Sequence, residues 1–291
     1  MAHPASRPLL VIDGDSFAHR AYHGLPKTIR RTGDKGGGAI VGFANYLIRL
    51  CNEEQPRAVV VGWDTLSAPN WRAEEFPPYQ GGRKYDDEII DQLDVLPEFV
   101  AACGFVNGKA AGFEADDFLA TAATAETKRG GTVLVASGDR DAFQLASDTT
   151  TILQPVKMGQ MVRIDPAGVR ERYGVEPRQV PDFIALRGDP SDKLPGARGI
   201  GEKTAASLLK TYPHLEAMLA AGQFPQQAEA LRLYRRIATM VTTAPLPTVI
   251  PDVRPTWSKA AVLADDWGLK VLAERLDEMA GGGHASGRQV E

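Results

Sequence analysis

Cysteine is nearly absent from this chain: Cys51 and Cys103 are the only two, each at the end of an apolar helical run and neither in a Cys-x-x-Cys pair. That leaves no disulfide framework and no thiolate zinc site, so both are read as reduced core thiols. The histidines are few and scattered, His3, His19, His23, His214 and His284, without the spacing of zinc ligands. No Gly-x-Ser-x-Gly elbow and no Gly-Lys-Ser/Thr loop occurs, which removes serine-nucleophile and P-loop chemistry. No apolar run approaches the roughly 20 residues of a membrane span. The opening Met-Ala-His-Pro-Ala-Ser-Arg-Pro lacks the apolar segment of a signal peptide, so a cytoplasmic protein is expected. An excess of positive charge is missing too, the net charge being -4. Spread evenly, that balance would argue against nucleic acid, but a dense acidic cluster can mask a basic surface elsewhere.

What the chain does have is crowded carboxylates. Gly112 to Asp117 reads Gly-Phe-Glu-Ala-Asp-Asp and opens an apolar-periodic helix through Phe118, Leu119 and Ala122. A helix N-terminus favours an acid by only about 0.3–1 kcal/mol, too little to offset the repulsion of Glu114, Asp116 and Asp117 side by side. Three short apolar runs also lead into aspartate: Pro8 to Ile12 into Asp13, Ala58 to Trp63 into Asp64, and Thr132 to Ser137 through Gly138 into Asp139. Ala39 to Cys51 has helical spacing between the first two, so strand, helix, strand predicts parallel pairing. The carboxyl ends of parallel strands share one crevice, which gathers Asp13, Asp64 and Asp139, with Asp141 and the Glu114 cluster beside them. One such aspartate would be read as a turn residue. Together they need cations, and oxygen-only ligation points to Mg²⁺ or Mn²⁺.

Two further stretches stand out. Ser67 to Asp86 is rich in Pro, Gly, Arg and aromatics, and is expected to form a lid or arch whose cations and rings, Arg72, Tyr79, Arg83 and Lys84 among them, meet a phosphate backbone. The competing reading is a surface loop packed by its own aromatics. Gly188 to Thr204 places Asp189 and Asp192 ahead of a glycine-rich hairpin and a fresh helix. The acids can complete a second metal site, while Gly199, Ile200 and Gly201 offer backbone amides at a helix start, with Arg198, Lys203 and Lys210 adding charge. Arg20, close to Asp13, is expected to touch phosphate. Asp86 to Gly104 is a helix expected to break or kink near Pro97, and strands are expected at Thr150 to Leu153 and Met161 to Ile164, joined by a turn around Lys157 to Gly159. The Arg232, Arg235 and Arg236 patch is read as structural.

Asp13-Gly-Asp-Ser-Phe-Ala-His-Arg, Gly112-Phe-Glu-Ala-Asp-Asp, Ser137-Gly-Asp-Arg-Asp-Ala-Phe-Gln-Leu and Gly188-Asp-Pro-Ser-Asp-Lys-Leu-Pro-Gly-Ala-Arg-Gly-Ile-Gly-Glu-Lys-Thr together resemble the bacterial flap endonuclease or 5′-3′ exonuclease family. That family includes the N-terminal nuclease domain of DNA polymerase I. The resemblance implies an α/β fold with a PIN-like, mostly parallel central sheet flanked by helices, a helical arch at about 67–91 and a C-terminal helix-three-turn-helix module at about 183–210. The glycine-rich composition of 281–291 predicts a disordered tail, and the resemblance implies a nuclease core over 1–175 and a helical DNA-binding region over 176–280. It assigns Asp13, Asp64, Glu114, Asp116, Asp117, Asp139, Asp141, Asp189 and Asp192 to two or three Mg²⁺ or Mn²⁺ ions, with Asp116, Asp117, Asp139 and Asp141 closest, and K⁺ to the hairpin.

The expected substrate is branched, nicked or RNA-primed DNA with a 5′ flap or end, cut by a monomeric, nucleoid-associated enzyme of replication and repair. DNA contacts are expected from Arg72, Tyr79, Lys193, Arg198, Gly199, Ile200, Gly201, Lys203 and Thr204, and catalytic cations from Arg20, Arg83 and Lys84. Two departures from the family pattern stand in this sequence: Gln80 follows Tyr79 where relatives carry lysine, and Lys193 stands where asparagine is usual. A PIN-type ribonuclease and a non-catalytic DNA-binding scaffold are the alternatives.

Overall fold

The computed structural model describes residues 7–281 apart from 67, 69, 83, 157 and 158. Arg83, the turn at 157–158 and the expected tail beyond Gly281 lie outside the described residues. The chain opens with β1 (Leu9–Asp13), α1 (Gly14–Gly24), the small pair β2 (Arg30–Arg31) and β3 (Lys35–Gly36), then α2 (Gly38–Glu54) and β4 (Ala58–Gly62). There follow α3 (Trp71–Glu75), α4 (Asp87–Ala102), β5 (Val106–Gly108), α5 (Ala115–Lys128), β6 (Val133–Ala136), β7 (Thr150–Pro155) and β8 (Met161–Ile164). The remainder is helical: α6 (Pro166–Tyr173), α7 (Val180–Arg187), α8 (Glu202–Thr211), α9 (Leu215–Ala220), α10 (Ala228–Ala238), α11 (Trp257–Asp266) and α12 (Lys270–Gly281).

The strands run in the order β5-β4-β1-β6-β7-β8, all parallel until β8 turns back antiparallel to β7. β1, β4 and β6 are buried at every residue, which is why their sequences are unbroken apolar runs. Their side chains alternate between two cores. Leu9 and Val11 meet Leu119, Phe143 and Phe183 on one face, while Leu10 and Ile12 meet Phe43, Leu96 and Phe99 on the other.

α4 runs unbroken through Pro97 instead of stopping there, because Leu93, Leu96, Phe99 and Val100 are all buried along it and outweigh the lost hydrogen bond. The helical stretches after His214 and after Trp257 each divide at a left-handed glycine, Gly222 and Gly268. Arg57 ties the late chain to the sheet, donating to Glu126 and to the Ile250 carbonyl.

Candidate active site

The parallel register of β1, β4 and β6 brings their carboxyl ends to one edge, and hydrogen bonds fix the acids that follow. Asp13 caps α1 through the Ser16 N–H at 2.9 Å, and its other oxygen accepts from the Ser137 hydroxyl at 2.8 Å. Asp64 accepts from the Ala115 N–H at 2.8 Å, joining the end of β4 to the start of α5. The Ser137 hydroxyl accepts from the Asp139 N–H at 3.0 Å, and Asp139 in turn accepts from the Asp141 N–H at 3.0 Å. On the far side, Asp189 and Leu194 exchange backbone hydrogen bonds of 2.8 Å, closing a tight loop in which the Asp189 carboxylate accepts from the Ser191 N–H at 2.8 Å. Gly188 and Gly196 are required there: both have positive φ, and a Cβ on Gly196 would lie 2.4 Å from the Gly188 nitrogen.

The structure brings Asp13, Asp64, Glu114, Asp116, Asp139, Asp141, Asp189 and Asp192 together around a cleft of about 500 Å³. Asp117 does not join them. It is fully buried, and both its oxygens are taken by Arg72 at 2.9 and 2.8 Å, with further donation from the Glu114 and Val241 N–H groups. The expectation that Asp117 lies closest to the ions is therefore corrected. On a helix the next residue turns about 100° away, so Asp116 and Asp117 cannot face the same side.

Two of the expected cations are also corrected. Arg72 is 3% exposed, pairs with Glu114 at 2.7 Å besides Asp117, and donates to the Ile237 carbonyl; it has no surface to offer DNA. Arg20 donates to the Val156 carbonyl at 2.8 Å and lines a separate groove with Arg49 and Arg275. The α1 face that reaches the cleft carries Ser16 and His19, three residues apart, and not Arg20. Lys84 is exposed and is not among the residues lining the cleft. Tyr79 is buried, its hydroxyl on Glu114 at 3.1 Å, so its ring is no open stacking platform.

Of the segment expected to arch over the cleft, the part around Trp71 to Phe76 packs on the body, while Tyr79, Gln80 and Tyr85 line the cleft. Phe76 packs edge-on to Tyr234 at 5.6 Å, and the Arg236 guanidinium sits 5.2 Å from the Trp71 ring. Gln80, in a left-handed conformation, reaches into the cleft and donates to Glu114 at 3.1 Å and to Asp192 at 3.3 Å.

Sequence reasoning left out three charged residues that line the cleft. Asp15 accepts from the Asp64 N–H at 2.8 Å, and Arg140 and Arg187 are the only arginines or lysines among the described residues that line the cleft. Asp15 and Arg140 lie inside the motifs that carry the resemblance and Arg187 directly precedes one, and that placement was the available signal.

Burial is the main force on these acids. It raises Asp13 to about 7, helped by Asp64 and Asp139 and opposed by the Ser16 and Ser137 hydrogen bonds. Burial likewise lifts Glu114 to about 7 against the pull of Arg72. Asp15, Asp116 and Asp141 are pushed well above the ordinary carboxylate range by burial first and neighbouring acids second.

Among the described residues no three side chains converge into a ready-made cage for an ion. The donor set nonetheless fits hard divalent cations, being all oxygen. Asp116 Oδ1 is buried at the centre with no hydrogen-bond partner among the described residues, an arrangement that costs free energy until something positive meets it.

Around the hairpin, Arg198, Gly199, Gly201, Lys203 and Thr204 are exposed and Ile200 is half-buried. Gly201 caps α8 with no side-chain hydrogen bond, so the first N–H groups of that helix face outward. Lys193 is exposed, with φ at 61° in the left-handed region. Asparagine tolerates that conformation better than lysine, which gives a backbone reason for the residue usual there.

The fold and the cleft together define a mostly parallel α/β protein with an acid-rich crevice at the carboxyl edge of its sheet and a helical module beside it. Residues 8–174 match the family described as 5′-3′ exonuclease, N-terminal resolvase-like domain, and residues 175–259 match 5′-3′ exonuclease, C-terminal SAM fold. The chain belongs to the 5′-3′ exonuclease family. It is 32% identical to a 5′-3′ exonuclease of Streptomyces coelicolor over 298 residues, covering 92% of this chain and 98% of that one. It is 37% identical to DNA polymerase I of Mycobacterium bovis across 96% of its own length, but spans only 32% of that polymerase. Among solved structures, T5 5′-exonuclease with bound zinc is similar over 94% of this chain and all of its own, with a TM-score of 0.65 at 19% identity. The catalytic core of Rad2 in complex with DNA is similar over 94% of this chain and 91% of its own, with a TM-score of 0.61 at 14% identity. No described helix is long and apolar enough to cross a membrane.

Proposed function

We propose that this protein hydrolyses DNA phosphodiesters near a 5′ end or at a 5′ flap junction, using Mg²⁺ or Mn²⁺ held in the acidic cleft. The observation that carries the reading is the unpartnered, buried Asp116 Oδ1 in the midst of seven other family-pattern carboxylates. Bound divalent ions would activate the attacking water and stabilise the leaving 3′ oxygen. Asp13, Asp64, Asp116 and Asp139 are the residues to hold one ion, and Asp141, Asp189 and Asp192 the residues to hold another. The outward N–H groups at the start of α8, with Lys203 and Thr204, are placed to take phosphates of the duplex without reading bases. A similar structure, T5 flap endonuclease, was solved in complex with DNA and metal ions, and the S. coelicolor relative is named a 5′-3′ exonuclease.

The test is cleavage of a 5′-labelled branched DNA flap, beside an unbranched duplex and an RNA hairpin, with Mg²⁺ and then with chelator. Metal-dependent cutting at the flap junction is expected. Preferential cutting of the RNA hairpin would move the protein to ribonucleases of the same sheet architecture, and binding without turnover would make it a scaffold.

A further inference from the structure

Arg187 has a surrounding unlike that of any other cation near the cleft. It ends α7 and follows a run of fully buried residues, so its stem leaves the core pointing into the acids. Its guanidinium lies 5.2 Å from the Phe183 ring and 5.5 Å from the Tyr173 ring, and its Nε is buried with no hydrogen-bond partner among the described residues. The approach to Asp189 is a single contact of 3.5 Å to Oδ2, while Ser191 holds the other carboxylate oxygen, Oδ1. By contrast, Arg72 forks onto Asp117 with both terminal nitrogens. Arg187 is thus fixed by rings and packing while its charge faces carboxylates it does not fully pair. A cation held that way does not leave when an ion arrives.

We propose that Arg187 is a resident counter-ion of the Asp141–Asp189 side of the cleft, a positioning residue that weakens divalent-ion binding there and keeps that side folded when no ion is present. The inference rests on the metal reading given above. Two positive charges within a few ångströms in a partly buried site repel strongly, so removing the guanidinium tightens ion binding on that side.

Mn²⁺ titration of the DNA-free protein by calorimetry tests this directly. Arg187→Met is expected to raise the affinity of the weakest Mn²⁺ site about tenfold, Arg187→Gln to do the same, and Arg187→Lys to retain the wild-type value. The gain should vanish when Arg187→Met is combined with Asp189→Asn, which places the effect on that side of the cleft. Gln serves if the methionine variant fails to fold. Unchanged Mn²⁺ affinity in both neutral variants overturns the proposal, and if the same variants bind flap DNA more weakly, Arg187 is a phosphate contact instead. Wild-type protein that takes up no Mn²⁺ removes the metal reading and this inference with it.

Discussion

Asp116 and Asp117 are neighbours on the first turn of α5, yet they live in opposite electrostatic surroundings. Beneath the helix, Asp117 is sealed from water and fully satisfied, with Arg72 forked onto it and two backbone N–H groups completing its shell. Above it, Asp116 faces Asp13, Asp64, Asp139 and Asp141, and one of its oxygens has no partner among the described residues. The protein has supplied its own cation on one side of the turn and withheld it on the other. That difference separates a structural carboxylate from one waiting for a ligand, which burial alone would not do.

Four measurements can break or sharpen this contrast. The largest effect belongs to the sealed side: Arg72→Met should destabilise the fold by about 3–5 kcal/mol, because it strands a buried charge. Denaturant midpoints would read it, and a loss below about 1 kcal/mol would mean that Asp117 finds another partner. On the open side, Asp116→Asn should cut flap cleavage by at least about 100-fold while leaving metal-free stability unchanged or improved. A variant that both loses activity and unfolds would show that Asp116 is as structural as its neighbour.

The third measurement is pH. Burial lifts the Asp13 and Glu114 carboxyls from the ordinary range near 4 to about 7, so the folded state binds these protons more tightly than the unfolded chain does. Stability from these groups is fully present below pH 4 and is lost as pH rises through 7. The melting temperature of chelator-treated protein should therefore fall between about pH 5 and 8, and saturating Mg²⁺ should flatten the decline. A metal-free profile that instead rises across that interval would sink the view of the cleft as an unneutralised cluster. The smallest effect is away from both acids: Lys193→Asn should stabilise by about 0.5–1 kcal/mol by relieving the left-handed backbone, visible as a raised denaturant midpoint.

Much of the site was legible before any fold was known. The apolar runs into Asp13, Asp64 and Asp139 could only be buried parallel strands, and parallel strands share an edge, so their acids had to meet. The Gly188 to Thr204 loop was equally legible, since its glycines and acids report a tight turn that backbone geometry demands. Within the Ser67 to Asp86 segment, Arg72 was misjudged for a definite reason. Arginines and aromatics in a Pro- and Gly-rich stretch have the composition of a nucleic-acid contact, but Arg72 finds Asp117 and Phe76 finds Tyr234 only because α5 and α10 are brought alongside by the rest of the chain.

The sequence by itself determined which acids exist, which strands carry them and that they converge, because period, burial and chain direction are local properties. Only the tertiary structure decided which of those acids are neutralised from within. Whether Asp117 or Asp116 receives an arginine, whether Arg20 or His19 faces the cleft, and whether Arg187 points into it depend on which way each helix is rotated against its neighbours. A rotation of one residue reverses every such assignment, and no local pattern in the chain records it.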